Sequence, residues 1–469
     1  MKKRIFTTLL LLTLILPLFA FDGFTDIFGS QQIEEPTLST PKKGMDIGGT
    51  VSFNIEGIQA GSAIQTAVQG GLTLDLRWTG SIVDAKTSLE LLPRPDDDDT
   101  LHWLDIFTHL SIITYFEGGR VEAGLLKKEW GSADGVHVVD VLNSPDYRNG
   151  IVDDPLKMKI SEPMIMTTAS YNNYTIDIVY KPMLIPMVAA SKETDRWLMP
   201  FPALPVADFP GFKPETTKVT IIPPTILDLA TLSHSQFGSR VKGTIGAADI
   251  GLIYWNGYYP SPGVGEIETI FVDPTVDPDN LELKEINAKL TYTRAQLFGG
   301  EATVVSGPLT LMVEGGFWLS QDNDGSDPFV YNNKLVYLAG LGWMIPKTSA
   351  YANLTYSGQY IMDFDKNAVF DVDTLQASIS SDGKPYMNTL TAALELPFAK
   401  EKVKLRVAGT YQLETKGYAI LPSLSWNIQD DLVVKAAGRF FGSASGGSQS
   451  LFKNWENNDS LTVGISYIF

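Results

Sequence analysis

Few residues in this chain are placed to do covalent chemistry. Its histidines are His102, His109, His137 and His234, and it has no cysteine. The histidine spacing fits no metal-ligand motif, and no serine stands in a nucleophile elbow. His109 shares a strand-like face with Asp105, which makes the two a candidate acid/base pair. A histidine satisfied by its neighbours explains the same residues, and no enzymatic activity is expected. Lack of cysteine excludes disulfides, thiolate metal sites, a cysteine nucleophile and a lipid anchor on an N-terminal cysteine.

Oxygen ligands are better represented. The run Asp322-Asn323-Asp324-Gly325-Ser326-Asp327 has the oxygen density and glycine turn of a calcium loop. Asp322, Asp324 and Asp327 are therefore candidate ligands, although Asn333 stands where a closing bidentate Glu belongs. No cofactor is expected beyond a divalent cation at such loops, and a solvated acidic loop is the plainer reading.

The remaining chemistry is charge presented to a solute. Asp75, Arg77, Asp84, Lys86, Glu90, Arg120, Glu122, Asp177, Lys181, Arg240, Lys242, Lys289, Glu314, Lys404, Arg406, Lys435 and Arg439 all alternate with apolar residues. Lys404, Arg406, Lys435 and Arg439 fall on two runs separated by a third, a ladder suited to an anionic solute. The alternative is that such arginines pair with carboxylates and hold a wall in shape.

Those charges need strands to position them. Leu72, Leu74, Leu76 and Trp78 alternate with Thr73, Asp75, Arg77 and Thr79; Val403, Leu405, Val407 and Tyr411 alternate with Lys404, Arg406, Ala408 and Gln412. Such runs recur near 46–56, 70–79, 82–92, 104–116, 119–128, 164–172, 174–183, 237–246 and 248–257. They continue near 286–304, 307–319, 332–346, 348–362, 384–398, 402–413, 416–427, 431–442 and 459–469. The links alternate between tight turns and long loops, with one short exception at 414–416. That pattern predicts an all-β transmembrane antiparallel barrel of about 16–18 strands, its short turns periplasmic and its long loops extracellular. Segment 286–304 changes parity at Arg294, which predicts a bulge or a miscounted strand. A secreted β-sandwich or β-helix would not explain the alternating link lengths.

The amino terminus fits export. Lys2, Lys3 and Arg4 precede an apolar stretch from Ile5 to Phe19, and Ala20 offers a cleavage point. Residues 1–20 read as a signal peptide, 21–44 as a periplasmic segment or plug, and 45–469 as the barrel. The chain carries a formal charge of −18, which argues against nucleic acid as a partner. Its acid gathers in expected outer loops at 96–99, Asp153-Asp154, 273–279, 322–327 and 363–373, where it would concentrate cations or bind divalent ions.

Several segments carry a resemblance. GLLKKEWGSADGVHVVDVLNSPDYRNGIVDD (124–154), SQFGSRVKGTIGAADIGLIYWNGYYPSP (235–262), YQLETKGYAILPSLSW (411–426) and SLFKNWENNDSLTVGISYIF (450–469) resemble a family of Gram-negative outer-membrane barrels of undefined function. They are more distantly similar to alginate-export porins. The resemblance implies a large export or uptake pore, without a substrate or catalytic residues. The closing strand, ending in Tyr467 and Phe469, also resembles the signal read by the barrel-assembly machinery.

These readings predict an outer-membrane channel for small polar or charged solutes, with Arg77, Lys86, Arg120, Arg240, Lys242, Lys404, Arg406, Lys435 and Arg439 lining the pore. Its partners would be membrane lipid, the assembly machinery and a small-molecule solute. Two alternatives stand beside it. The proline-rich 184–236 loop, with its run Trp197-Leu198-Met199-Pro200-Phe201-Pro202, could gate a transporter of hydrophobic compounds. Long outer loops would also suit a surface adhesin or a structural barrel.

Overall fold

Successive side chains of a strand point to opposite faces, so a period-2 run must bury or solvate each face separately. The computed structural model describes residues 44–60, 63–91, 106–152, 154–190, 195–199, 211–213, 215–272, 282–368, 371–444 and 450–469. The expected signal segment, the N-terminal segment up to residue 43, the acidic runs 96–99 and 273–279, His102, Asp105 and Asp153 lie outside the described residues. So do 191–194, 200–210 and 214 of the long loop.

The first seven strands are β1 (Gly44–Ala60), β2 (Ala63–Thr79), β3 (Val83–Leu91), β4 (Phe107–Phe116), β5 (Gly119–Leu126), β6 (Glu162–Tyr171) and β7 (Tyr174–Lys181). They are followed by β8 (Lys218–Ile222), β9 (Gln236–Ile245), β10 (Ala248–Tyr258), β11 (Gly263–Phe271), β12 (Leu283–Thr291) and β13 (Arg294–Ser306). The last eight are β14 (Leu309–Ser320), β15 (Lys334–Met344), β16 (Tyr351–Ile361), β17 (Tyr386–Phe398), β18 (Val403–Gln412), β19 (Gly417–Asn427), β20 (Leu432–Ser443) and β21 (Ser460–Ile468). All but β8, β11 and β12 form one 18-stranded sheet in which chain neighbours pair antiparallel.

The sheet closes on itself. β21 pairs with β1 from Thr50↔Ile468 to Ile58↔Ser460, and Gly49 and Phe469 exchange backbone bonds of 2.9 and 3.0 Å. A Cβ on Gly49 would stand 2.7 Å from the Phe469 ring and 2.3 Å from the Thr73 carbonyl, so only glycine leaves room for that closure. With no free edge, every strand finds partners on both sides, the condition for a sheet to survive without water.

The expected segment at 286–304 is two strands. Residues 283–291 belong to a separate sheet in which β12 lies between antiparallel β11 and parallel β8. The barrel resumes at Arg294, so the parity change there marks a handover between sheets rather than a bulge. The first hairpin also differs from expectation. β1 and β2 each run 17 residues and pair from Gly44↔Thr79 to Ala60↔Ala63, so 57–60 and 63–69 are strand rather than loop.

Outward faces are apolar and solvent-accessible: Ile112 is 59% exposed, Leu252 67%, Val313 55% and Val463 57%. Exposed aromatics cluster at both ends of the strands. Trp78, Phe116, Tyr171, Trp343, Phe398, Trp426 and Tyr467 stand near the tight turns, while Tyr180, Phe237, Tyr360, Tyr386 and Tyr411 stand near the long loops.

The largest buried apolar cluster lies inside the barrel. The link 127–161 folds into the lumen, where Trp130, Val139 and Leu142 pack with Trp255, Leu297 and Trp318 from the inner wall. Val264 of β11 and Ala288 of β12 join the same cluster from above.

Candidate functional site

The lumen holds charges in two different settings. On one side the 127–161 link is bound to the inner faces of β9–β15. Glu314, midway along β14, accepts bonds from the backbone N–H groups of Ser132 (2.7 Å), Ala133 (3.0 Å) and Val138 (2.9 Å), and bonds His137 Nδ1 at 2.9 Å. Gly131 makes this cradle possible: its φ is +126°, and a Cβ there would meet the His137 ring at 2.2 Å. Burial pushes the His137 pKa down, but its bond to Glu314 outweighs that, and the net shift is upward. The Tyr351 hydroxyl, at the turn end of β16, donates to Asp134. The link thus reaches from the loop rim nearly to the turn rim.

Other charges, from β5 round to β15, are also neutralised. Arg240 binds Asp177 (2.8 Å) and Glu301 (3.5 Å), with Lys242 at 3.9 Å from Glu301. Lys181 pairs with Glu162 at 2.6 Å, both buried, and donates to the Leu142 carbonyl. Lys128 pairs with Glu122 at 2.6 Å. At the mouth, Lys334 contacts Asp373 of the helix Val372–Ser380 at 3.1 Å and lies over the rings of Tyr259 and Tyr331. Removing either partner of so buried a pair strands a charge, so these bonds fix the link and the mouth in place.

A clasp crosses the mouth to the opposite wall. Glu56 of β1 binds Arg439 of β20 at 2.5 Å and Arg196 of the long loop at 2.9 Å. Both guanidinium groups lie 4.7 Å from the ring of Trp197, which packs edge-on against Phe441 and Trp455. Arg439 also donates to the Asn149 carbonyl, and the Trp455 indole to that of Leu198. The apolar run of the 184–236 loop is therefore seated in the mouth as far as residues 195–199 are described.

Below the clasp, the inner wall of β17–β21, β1 and β2 is lined by short polar side chains. Thr391, Thr410, Ser423, Ser425, Thr462, Ser466, Thr50, Ser52 and Asn54 are half-buried there. Lys404 and Lys435 share this wall, Arg406 stands 3.8 Å from Glu395, and Lys435 is exposed.

The residues expected to line a pore thus divide. Arg240 and Lys242 are bound among carboxylates of the filled side, and Arg439 belongs to the clasp, which removes it from the expected ladder. Arg77 stands 3.8 Å from Asp84, while Lys86 and Arg120 lie on the inner faces of β3 and β5. Lys289 is not in the lumen at all: it lies on β12, bound to Glu266 at 3.0 Å. His109 contacts Ser111 at 2.9 Å and stands 3.9 Å from Glu122.

The 322–327 carboxylates are engaged locally. Asp322 accepts from the Asp327 N–H, Asp327 from the Phe329 N–H and Asp324 from the Ser326 hydroxyl. Among the described residues, no three His, Asp or Glu side chains are grouped to hold a metal ion. Tyr467 faces outward opposite Val51, and Phe469 is held through its backbone. Sequence reasoning missed Glu56, which ends a run of inward-facing Ser52 and Asn54, and Arg196, which carries no period-2 signal.

No protein-family model matches the chain, and no curated protein matches it by sequence. The resemblance drawn from 124–154, 235–262, 411–426 and 450–469 accordingly stays an expectation. Among solved structures, a mutant of the Rh. blastica porin overlaps with a TM-score of 0.37 at 10% identity, covering 91% of this chain and 100% of that one. A loop-deletion mutant of OmpT, an outer membrane protein of Vibrio cholerae, gives 0.36 at 7% identity, covering 91% and 99%. Overlap of that extent leaves function to be read from this chain's own residues.

Proposed function

We propose that this protein is an outer-membrane channel for passive movement of small polar or charged solutes. The observation that carries the reading is a closed 18-stranded barrel, apolar outside, with a half-exposed polar wall along part of its lumen. So much exposed apolar surface suits lipid rather than water, and aromatics at both strand ends suit the two interfaces. Transport along a solvent-accessible wall needs only width and charge, in keeping with a lumen most of whose named ionisable groups serve as struts. Export through a cleaved signal peptide at 1–20 and recognition of the Tyr467–Phe469 end by the assembly machinery belong to the same proposal. Recording from the purified protein in planar bilayers tests it. Stepwise conductance is expected, and a complete lack of it at every voltage would overturn the reading.

A second reading, a gated carrier of hydrophobic compounds, is favoured by the seating of Trp197 between Arg196 and Arg439 in the mouth. Deleting residues 190–225 would then change uptake of an apolar tracer; unchanged uptake counts against it.

A further inference from the structure

The polar wall opposite the 127–161 link carries cations that have no carboxylate to themselves. Lys404 of β18 and Lys435 of β20 both face inward, and strand pairing places Ser425 of β19 between them on one rung: Lys404↔Ser425 and Ser425↔Lys435. Two strand spacings separate the backbones of the lysines by about 10 Å, within the joint reach of two flexible four-carbon side chains. On the next rung inward, Arg406 pairs with Ser423.

Among the described residues neither Lys404 nor Lys435 forms an ion pair or hydrogen bond. Glu395 faces Arg406 at 3.8 Å, and among the described residues no carboxylate forms an ion pair with either lysine. Glu56, on the Arg406 rung by way of Ser423, Ala437 and Thr462, is held by Arg196 and Arg439 and turned toward the clasp. By contrast, Arg240, Lys181, Lys334 and Lys128 each have a carboxylate within 3.1 Å. Paired cations hold the wall; unpaired ones facing a wetted lumen are available to a solute.

We infer that Lys404, Ser425 and Lys435, with Arg406 beside them, form a binding patch for small solutes carrying two negatively charged oxygen groups. Two ammonium groups can each take one charged end while the Ser425 hydroxyl donates between them. The same patch biases permeation toward anions, against the acidity of the chain as a whole. This rests on the channel reading for its physiological meaning, but binding can be measured without conduction.

The test uses the full barrel folded in detergent. Amine acetylation is mapped by mass spectrometry with and without succinate or inorganic phosphate, and Lys400, in the exposed turn before β18, is the control. Dianions are expected to slow acetylation of Lys404 and Lys435 about threefold and to leave Lys400 unchanged. Protection by succinate alone assigns a dicarboxylate, by phosphate alone a phosphate, and by both the shared dianion chemistry. Equal rates at all three lysines in every buffer would overturn the patch. In bilayers under a KCl gradient, the Lys404→Gln/Lys435→Gln variant is expected to lower chloride preference by about threefold. A cation-selective native channel, or a ratio the double variant leaves unchanged, would also overturn it. Lysine protection without any conductance would sink the channel reading and leave the patch standing.

Discussion

The two sides of the lumen use charge in opposite ways. On the β9–β15 side, each named cation is matched by a carboxylate, and Glu314 is surrounded by donors from a single folded link. On the β17–β2 side, side chains are short, hydroxyl-rich and half-exposed, and two lysines have no ion pair among the described residues. The same inward parity therefore yields a strut in one place and a solute-facing group in the other. What differs is the presence of a chain segment across from it. A buried charge must be paired because desolvation is costly, whereas a wetted one need not be.

Breaking the filled side should have the largest effect. Glu314→Ala leaves three backbone N–H groups and His137 without their acceptor, at a cost of roughly 3–5 kcal/mol. Thermal unfolding in detergent should show the loss, and bilayer recordings should show a wider, noisier pore as the link detaches. A variant with native stability would mean the cradle is not what anchors the link.

The clasp should come next. Glu56→Gln keeps the shape of the side chain and removes the charge shared by Arg196 and Arg439, costing about 1–3 kcal/mol. Its readout is the mouth: conductance should rise, and protease access to residues 195–199 should increase. If both stay at native levels, Trp197 packing alone holds the loop.

Removing Phe469 deletes the Gly49–Phe469 pair at the barrel seam. Membrane levels of the truncated protein should fall several-fold in quantitative blots while any assembled fraction conducts normally, about 1 kcal/mol per lost pair being small against the whole barrel. Normal levels would separate the terminus from assembly.

The pH effect should be smaller still. His137 has its pKa raised in the folded state, so its pairing with Glu314 contributes fully below the ordinary imidazole range near pH 6.5 and is lost as pH rises through the higher folded value. Melting temperature should therefore decline above neutrality, and His137→Asn should flatten that decline. The smallest effect belongs to the open wall. Thr462→Ala or Ser423→Ala should stay within about 0.5 kcal/mol of native stability, because neither residue is fully buried.

Alternation is a local property, and it made the barrel legible. The runs containing Leu72–Trp78 and Val403–Tyr411 are strands at those positions, and the tight turns at Gly118, Asn173 and Gly307 each close a hairpin. Where the chain left the barrel, the local signal misled. β12 has the same alternation as a wall strand, because the 8–11–12 sheet also has one buried and one exposed face. The first hairpin is longer than the runs at 46–56 and 70–79, because backbone pairing carries on through Gly57 to Ala60 and back from Ala63 to Gln69.

By itself, the sequence determined the fold class, the inward parity of charges on the wall strands, Lys289 of β12 excepted, and a terminal strand able to close the ring. Period-2 patterning specifies which face a residue occupies, and nothing more distant is needed for that. Only the tertiary structure decided which inward charges are struts. Glu314 meets His137 across 177 positions of chain and Arg439 meets Glu56 across 383, and no spacing rule connects residues that far apart. Lys404 and Arg240 look alike in sequence. They differ because the link between β5 and β6 packs over one side of the lumen, while among the described residues the other wall is left half-exposed.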